Sequence, residues 1–418
     1  MSDAAARSRI ADLGLAARGE QRIAWAARHS PVLSHLGRER LSDGALKGRR
    51  VAVVVHLEAK TAYLATLLAD AGAEVVAAGS NPATTQDAVC AALVARGIEV
   101  HAVHGSTRGE FEEDLLAVAG AEPELVVDDG AELVARIVER RPQMAVGLRG
   151  VTEETTTGVV RLRAMERAGK LTFPAIAAND ARCKHLFDNR YGTGQTAVAA
   201  LSGLTNLITA GRRVCVVGYG WVGKGLARYA EGMGAKVVVV EVDPVPALEA
   251  HMDGHPVAPL AEALPHADLV VTATGGIDAV PAEAFPHLKD GAILANAGHH
   301  DRELDVEGLG REAGPGEEVR PGVTRYVFPD GRRCYLLVGG ALVNIAGGDG
   351  HPVEIMDLSF SVQALAVHHL AREELPPGLH RLPDELDREV ARAKLATLGI
   401  RLDELTEAQR AFLERWEV

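Results

Sequence analysis

The stretch VCVVGYGWVGKGLARYA constrains the fold of this chain more than any other. A β-branched run ends in Gly218, Gly220 and Gly223, and an alanine-rich helical pattern follows at once. In a GxGxxG turn the first glycine permits the tight bend. The second lets backbone approach a pyrophosphate, and the third lets helix pack close to strand. The helix N-terminus then faces the anion. A bare GxGxxG is weak evidence, but here strand, turn and helix stand in the required order. Glu241 closes the next strand, at the distance expected of an acid that binds a ribose 2′-hydroxyl. An acid there favours NAD over NADP, because it repels a 2′-phosphate. The bland alternative is a packing glycine cluster in a non-binding domain. Thr274, Gly275 and Gly276 end a later strand, where they line the cofactor or form an ordinary turn.

Around this unit, strand and helix patterns alternate. RRVAVVVHL, EVVAAGS and PELVVDD read as buried strands, each followed by a helical stretch. Such alternation predicts a mainly parallel sheet. The expected class is α/β, with two parallel-sheet domains, the second an inserted Rossmann domain, plus C-terminal helices. Residues 1–180 form the first α/β region and 181–345 the Rossmann domain. Residues 346–385 contain a long apolar helix that returns the chain to the first region. Residues 386–418 are an amphipathic helical segment expected at a subunit interface.

Composition removes whole classes of function. The net charge is −13 over 418 residues, with Arg and Lys scattered, so no basic face for nucleic acid is expected. No run approaches the length of a membrane span, and the N-terminus lacks an apolar signal core. Cys90, Cys183, Cys215 and Cys334 are far apart and form no CxxC pair. They read as reduced thiols in a cytoplasmic protein with no metal site.

Polar groups gather where strands end. They are Asp129 in VVDDGAE, Glu154 before Thr155, Thr156 and Thr157, Lys184, Asp188 and Asn189, His299 in NAGHHD, and His351 in GGDGHP. Lys184 and Asp188 are spaced to share a helix face. Taken singly, each reads more simply as a solvated charge or a cap, as Asp180 does. Asp128 and Glu153 fit that description, and His300 reads equally as a surface residue. His56 and Lys60 stand one helical turn apart at a helix start. Composition and spacing reach an NAD enzyme with a polar interdomain cleft.

The motifs GSNPATTQD, DDGAEL, GVTEETTTG, ANDARCKHLFDN, GYGWVGKG, VTATGGID, NAGHHD and LVNIAGGDGHP run in one order from about Val51 to the C-terminal helices. On these the chain resembles the adenosylhomocysteinase family, the S-adenosylhomocysteine hydrolases. Its HLEAKTA stretch resembles archaeal-like and some bacterial short forms, some of which prefer S-inosylhomocysteine. A generic 2-hydroxyacid dehydrogenase would share the NAD fingerprint but not EETTTG before it. The resemblance implies a substrate-binding domain beside the Rossmann domain, one NAD retained per subunit, a homotetramer and a place in the methionine cycle. It also implies a reversible hydrolysis without net redox change. The ribose 3′ position is oxidised, a C4′ proton is abstracted, homocysteine is eliminated, water adds, and the ketone is re-reduced. A thioether is a poor leaving group until an adjacent carbanion can form, so the protein must stabilise developing enolate charge.

Residue by residue, the resemblance assigns the 3′-hydroxyl proton and ribose orientation to Lys184 and Asp188. A lysine there acts as a base only if its pKa is lowered. Asp129 matches the acid or base near C4′ and C5′, and Glu154 the carboxylate that holds the ribose hydroxyls. Asn189 matches a residue that positions Lys184 and the cofactor. His56 and His299 match histidines near the leaving group and the 3′ side, and His351 one at the cleft entrance. Thr155, Thr156, Thr157, Asn296 and Asn344 match cofactor contacts. Thr84 and Asp87 fall beside the substrate, or are ordinary caps.

Three departures matter. Thr193 replaces the cysteine many relatives carry near the cofactor. The end FLERWEV lacks the lysine and tyrosine that reach a neighbour's NAD site in many relatives, so intersubunit cofactor contacts are expected to differ. Lys60 stands where better-known relatives have Glu or Gln to accept from the adenine 6-amino group. An ammonium only donates. It suits the 6-oxo group of hypoxanthine, unless it turns aside to pair with Glu58. The expected substrate is S-adenosylhomocysteine, with S-inosylhomocysteine as the alternative. A silent NAD-binding regulatory homologue is a third reading, opposed by the retained polar set.

Overall fold

The computed structural model describes residues 3–299 and 301–416, so His300 and the last two residues of FLERWEV lie outside it. Two seven-stranded sheets organise the chain. The first holds β1 (Arg50–Val54), β2 (Glu74–Ala78), β3 (Glu99–His101), β4 (Leu125–Asp128), β5 (Gly150–Glu153) and β6 (Pro174–Ile176) in the order β3-β2-β1-β4-β5-β6. The short strand Gly378–His380 pairs with the outer edge of β6, and all these pairs are parallel. Helices cover both faces, which is why β4 and β5 read as unbroken runs and are buried throughout. The winding direction reverses between β1 and β4. In open α/β sheets the crevice at the carboxyl ends of such a pair is where ligands bind. His56 leaves β1 at that crevice, and Asp129 leaves β4.

The second sheet contains β7 (Arg213–Val217), β8 (Lys236–Val240), β9 (Leu269–Thr272), β10 (Ala292–Asn296), β11 (Glu317–Arg320), β12 (Val323–Val327) and β13 (Arg333–Leu337). Their order is β11-β12-β13-β10-β9-β7-β8. Pairing is parallel from β8 to β13 and antiparallel through β12 and β11. Its reversal lies between β7 and β9, so the glycine turn after β7 opens onto a second crevice. The two crevices face one cavity.

The helix Val353–Arg372 belongs to the core of the first sheet. It is buried throughout Met356–Val367, as a core helix must be. Asp357 accepts from the N–H groups of Val32 at 3.2 Å and Leu33 at 2.8 Å. These are orphan donors at the start of the helix Pro31–Arg40. All four cysteines are buried, and burial pushes their thiols upward in pKa. No helix among the described residues is long and apolar enough to cross a membrane. In the single chain Phe412, Leu413 and Trp416 of the last segment are exposed.

Candidate active site

A cavity of about 550 Å³ lies between the carboxyl ends of the two sheets. Its first wall is built around Lys184, on the short helix Arg182–His185. The Lys184 ammonium is 3.0 Å from Asp188 Oδ1 and 3.5 Å from Glu154 Oε1, and it donates to Asn189 Oδ1 at 2.9 Å. Asp188 and Asn189 open the π-helical turn Asp188–Thr193, an irregular geometry that clusters at functional sites. Asn189 Nδ2 also donates to Asn179 Oδ1 at 3.3 Å, which fixes the amide orientation. His351 reaches Asp188 Oδ1 at 3.3 Å and Thr193 Oγ1 at 2.8 Å. A hydroxyl at 193 thus orients the histidine at the cavity rim.

The electrostatics of this wall are those of a buried ion cluster. Burial lowers the Lys184 pKa, but Asp188, Glu154 and Asp129 outweigh it, and the net direction is upward. Burial likewise raises Asp188, yet Lys184 and His351 hold it well below the carboxylate range. Glu154 goes the other way: burial pushes it up to about 7, against Lys184. The lowered lysine pKa that the base role requires is therefore not met in this state. The group poised near neutrality is Glu154.

The opposite wall is formed by His56, Asp129 and His299. His56 Nε2 lies 3.5 Å from Asp129 Oδ2, and His299 Nδ1 3.6 Å from Asp129 Oδ1. Ser80 donates to Asp129 Oδ2 at 2.9 Å. Burial keeps both imidazoles below their ordinary pKa. Asp129 is raised by burial but held below its ordinary value by the two histidines, Ser80 and Lys184. Thr84 donates its proton to Asn81 O at 2.9 Å and so accepts from His56 Nδ1 at 2.7 Å. The neutral ring then turns its basic Nε2 toward Asp129 and the cavity.

The third wall is the glycine turn and its surroundings. Gly218 has φ +97°, and a Cβ on Gly223 would lie 2.0 Å from Gly218 O. Gly220 is open, with nothing within 4 Å of where a Cβ would stand. Glu241 accepts from Tyr219 N at 2.7 Å and Asp243 N at 3.0 Å, beside the turn. Thr155, Thr156 and Thr157 line the cavity at the start of the helix Thr156–Arg167, with Thr274 and Gly275 facing them. Asn344 donates to Thr196 at 3.1 Å, while its buried Oδ1 has no partner among the described residues. An open glycine at 220 with the threonines that face it suits a dinucleotide, while Asn344 and Glu241 stand behind the lining. Gly223→Ala is expected to abolish tight cofactor binding or folding, read by the absorbance of the purified protein's cofactor and its thermal melt. Retention of stoichiometric cofactor would contradict this.

Several expectations need correction. Asp87 does not reach the cavity; its carboxylate accepts from His104 N at 2.8 Å, on the far side of its helix start. Thr84 does not line the cavity; it lies behind His56. Asn296 does not line the cavity either. Its amide accepts from Gly298 N at 2.7 Å and donates to Gly340 O at 3.0 Å, so it shapes the turn carrying His299. Lys60 lines the cavity but is engaged by Glu58 Oε2 and Asp349 O, each at 2.9 Å.

Three buried acids brace the site from behind. Asp128 and Glu153 are caps, but fully buried ones. Asp128 accepts from Val134 N at 2.8 Å, and Glu153 from Gly130 N at 2.9 Å and Ala131 N at 2.8 Å. Glu303, also buried, accepts from Thr274 N at 2.8 Å and Gly275 N at 2.7 Å. It thereby ties the cofactor loop to the turn carrying His299, against which Gly298 packs without room for a Cβ.

This arrangement has counterparts among known proteins. The family model described as S-adenosyl-L-homocysteine hydrolase matches residues 7–146, and that of the family's NAD binding domain matches residues 189–350. The adenosylhomocysteinase of Thermococcus kodakarensis is 49% identical, covering 98% of this chain and 97% of its own. The S-inosyl-L-homocysteine hydrolase of Methanopyrus kandleri is 48% identical, with the same coverage of 98% and 97%. That of Methanothermobacter thermautotrophicus is 46% identical, covering 98% and 99%. Identity at this level over nearly whole chains, with a glycine cradle built for NAD facing a buried lysine–carboxylate cluster, makes this chain a member of the NAD-dependent S-adenosyl-L-homocysteine hydrolase family.

Proposed function

We propose that this protein catalyses the reversible hydrolysis of S-adenosyl-L-homocysteine to adenosine and L-homocysteine. The observation that carries the reading is one cavity with two proton-handling walls. Lys184 stands between Asp188 and Glu154 on one side, and Asp129 stands between His56 and His299 on the other. Bound NAD supplies a reversible hydride acceptor for the ribose 3′ carbon. Thr155, Thr156, Thr157, Thr274 and Gly220 would hold it.

The protein's own groups then divide the proton work. Lys184, with Asp188 and Glu154, binds the ribose hydroxyls and moves the 3′-oxygen proton. Asn189 keeps the ammonium in place. Asp129 removes the C4′ proton, and with His56 it protonates the departing sulfur and later positions water. His299 closes over that side, packed against Gly130. A pair of groups with separated pKa values can serve as acid and base in one cycle. His351 stands at the entrance. We place the enzyme in the cytoplasm as a homotetramer, with the exposed C-terminal segment at a subunit interface.

A second reading, hydrolysis of S-inosyl-L-homocysteine, is favoured by Lys60. Glu58 and Asp349 O engage its ammonium, which lines the cavity and can only donate. A buried donor that meets an amino group instead of an oxo group costs about 1–3 kcal/mol. The test is synthesis from homocysteine with adenosine or inosine, comparing kcat/KM. A preference for adenosine of about tenfold or more is expected if Lys60 stays with Glu58. The reverse preference would make Lys60 the purine sensor. Activity with neither would overturn the hydrolase reading and leave a silent homologue.

A further inference from the structure

Ser359 and Gln363 stand one turn apart on the buried helix Val353–Arg372, and neither lines the cavity. Each donates to one of the two carboxylates that flank Lys184. Ser359 Oγ donates to Asp188 Oδ2 at 2.8 Å, and Gln363 Nε2 to Glu154 Oε2 at 2.5 Å. The remaining oxygens, Asp188 Oδ1 and Glu154 Oε1, are the ones that face the Lys184 ammonium. The helix therefore divides each carboxylate into a rear oxygen that it holds and a front oxygen that it leaves to the site.

At Glu154 this division has a chemical consequence. The Thr152 hydroxyl donates to Gln363 Oε1, so the amide presents its NH₂ end to Glu154. Oε2 already accepts from the amide, which makes it the less basic of the two oxygens. Oε1 is buried and has no hydrogen-bond partner among the described residues.

We infer that Gln363 is a positioning residue that reserves Oε1 of Glu154 as the oxygen that receives a proton from Lys184. The transfer is an exchange of one proton. An N–H bond of the ammonium breaks, an O–H bond forms at Oε1, and a neutral amine faces a neutral carboxyl. The amine is then free to take the substrate hydroxyl proton, which its charged form cannot do. This inference rests on the hydrolase reading above. It answers how a lysine whose ion pairs keep it protonated becomes a base. Burial raises the Glu154 carboxyl to about 7, which brings its affinity for a proton closer to that of the lysine. The charged groups facing Glu154 are Lys184 and Asp188 from the turn after β6 and Asp129 from the end of β4. Gln363 is the neutral donor from the long helix.

The test is Gln363→Met in the full-length, NAD-loaded enzyme. The change keeps the side chain's length and removes the donor. Loss of a hydrogen bond to an ionised group favours the protonated carboxyl. The Glu154 titration should therefore move up by about one pH unit. It is followed by infrared difference spectroscopy on the protonated carboxyl band, identified by its disappearance in Glu154→Gln. The acidic limb of the kcat profile should move by the same amount, with KM little changed. Thr152→Val, which frees the amide to turn over, should shift the titration in the same direction and serves if the first variant does not fold. An unmoved carboxyl titration in both variants, or an activity loss equal at every pH, overturns the inference. If the parent enzyme turns over neither nucleoside, the hydrolase reading fails instead. The infrared titration still reports whether Gln363 governs Glu154.

Discussion

Lys184→Met lowers kcat/KM by about 10²–10⁴-fold, the range spanned by loss of a positioned proton-transfer group. Methionine matches the length of the lysine stem but carries no charge and no proton. Formation of reduced cofactor on adding nucleoside stops with turnover, because the 3′-oxygen proton has nowhere to go. The variant also loses stability. Asp188 and Glu154 are left buried without their cation, and breaking a buried pair costs about 3–5 kcal/mol. The sign of its pH dependence follows from Glu154. Its carboxyl is already raised toward 7 by burial, and removing Lys184 raises it further. At pH 6 a proton neutralises it, whereas at pH 8 its charge must be accommodated. Denaturant midpoints should therefore fall more at pH 8 than at pH 6. Retained oxidation of the nucleoside by this variant would remove Lys184 from the proton path.

Asp129→Asn separates the two walls of the cavity. Asparagine keeps the shape and can keep the bond to Ser80, but it cannot take a proton. Full turnover should fall by about 10²–10⁴-fold, while oxidation at the 3′ position survives on the Lys184 side. Adding adenosine would then leave reduced cofactor standing on the enzyme, visible in its near-ultraviolet absorbance. Exchange of the C4′ proton with solvent deuterium should stop. The change also takes away the anion that supports protonation of His56 and His299, so both rings titrate still lower. Equal loss of oxidation and of exchange would mean that Asp129 shapes the cavity rather than moving the C4′ proton.

Much of this was legible in the chain itself. The glycine turn could be recognised because its constraint is local: a tight bend, a close approach and a helix start within a few residues. The parallel strands of both sheets followed from strand runs that alternate with helices, whereas the antiparallel edge β11–β12 did not. The spacing of Lys184 and Asp188 predicted a shared face, because one helical turn is short-range geometry. Asp87 and Thr84 show the complementary limit. Their stretch does lie beside the crevice, but the turn before the helix directs Asp87 to His104 and Thr84 to His56.

The amino-acid order by itself decided which segments become strands, where the glycine cradle stands and that acids gather at strand ends. Only the tertiary structure decided which acids do chemistry. Asp128 and Asp129 are neighbours, as are Glu153 and Glu154, and nothing in their identity separates them. Successive residues leaving a strand point to opposite sides. The last residue of β4 and of β5 therefore turns back to cap buried backbone, and the next one enters the cavity. Gln363 was hidden for a related reason. In the sequence it is one polar residue in an apolar helix. Its meaning comes from a carboxylate 209 positions away, brought within 2.5 Å by the packing of that helix on the first sheet.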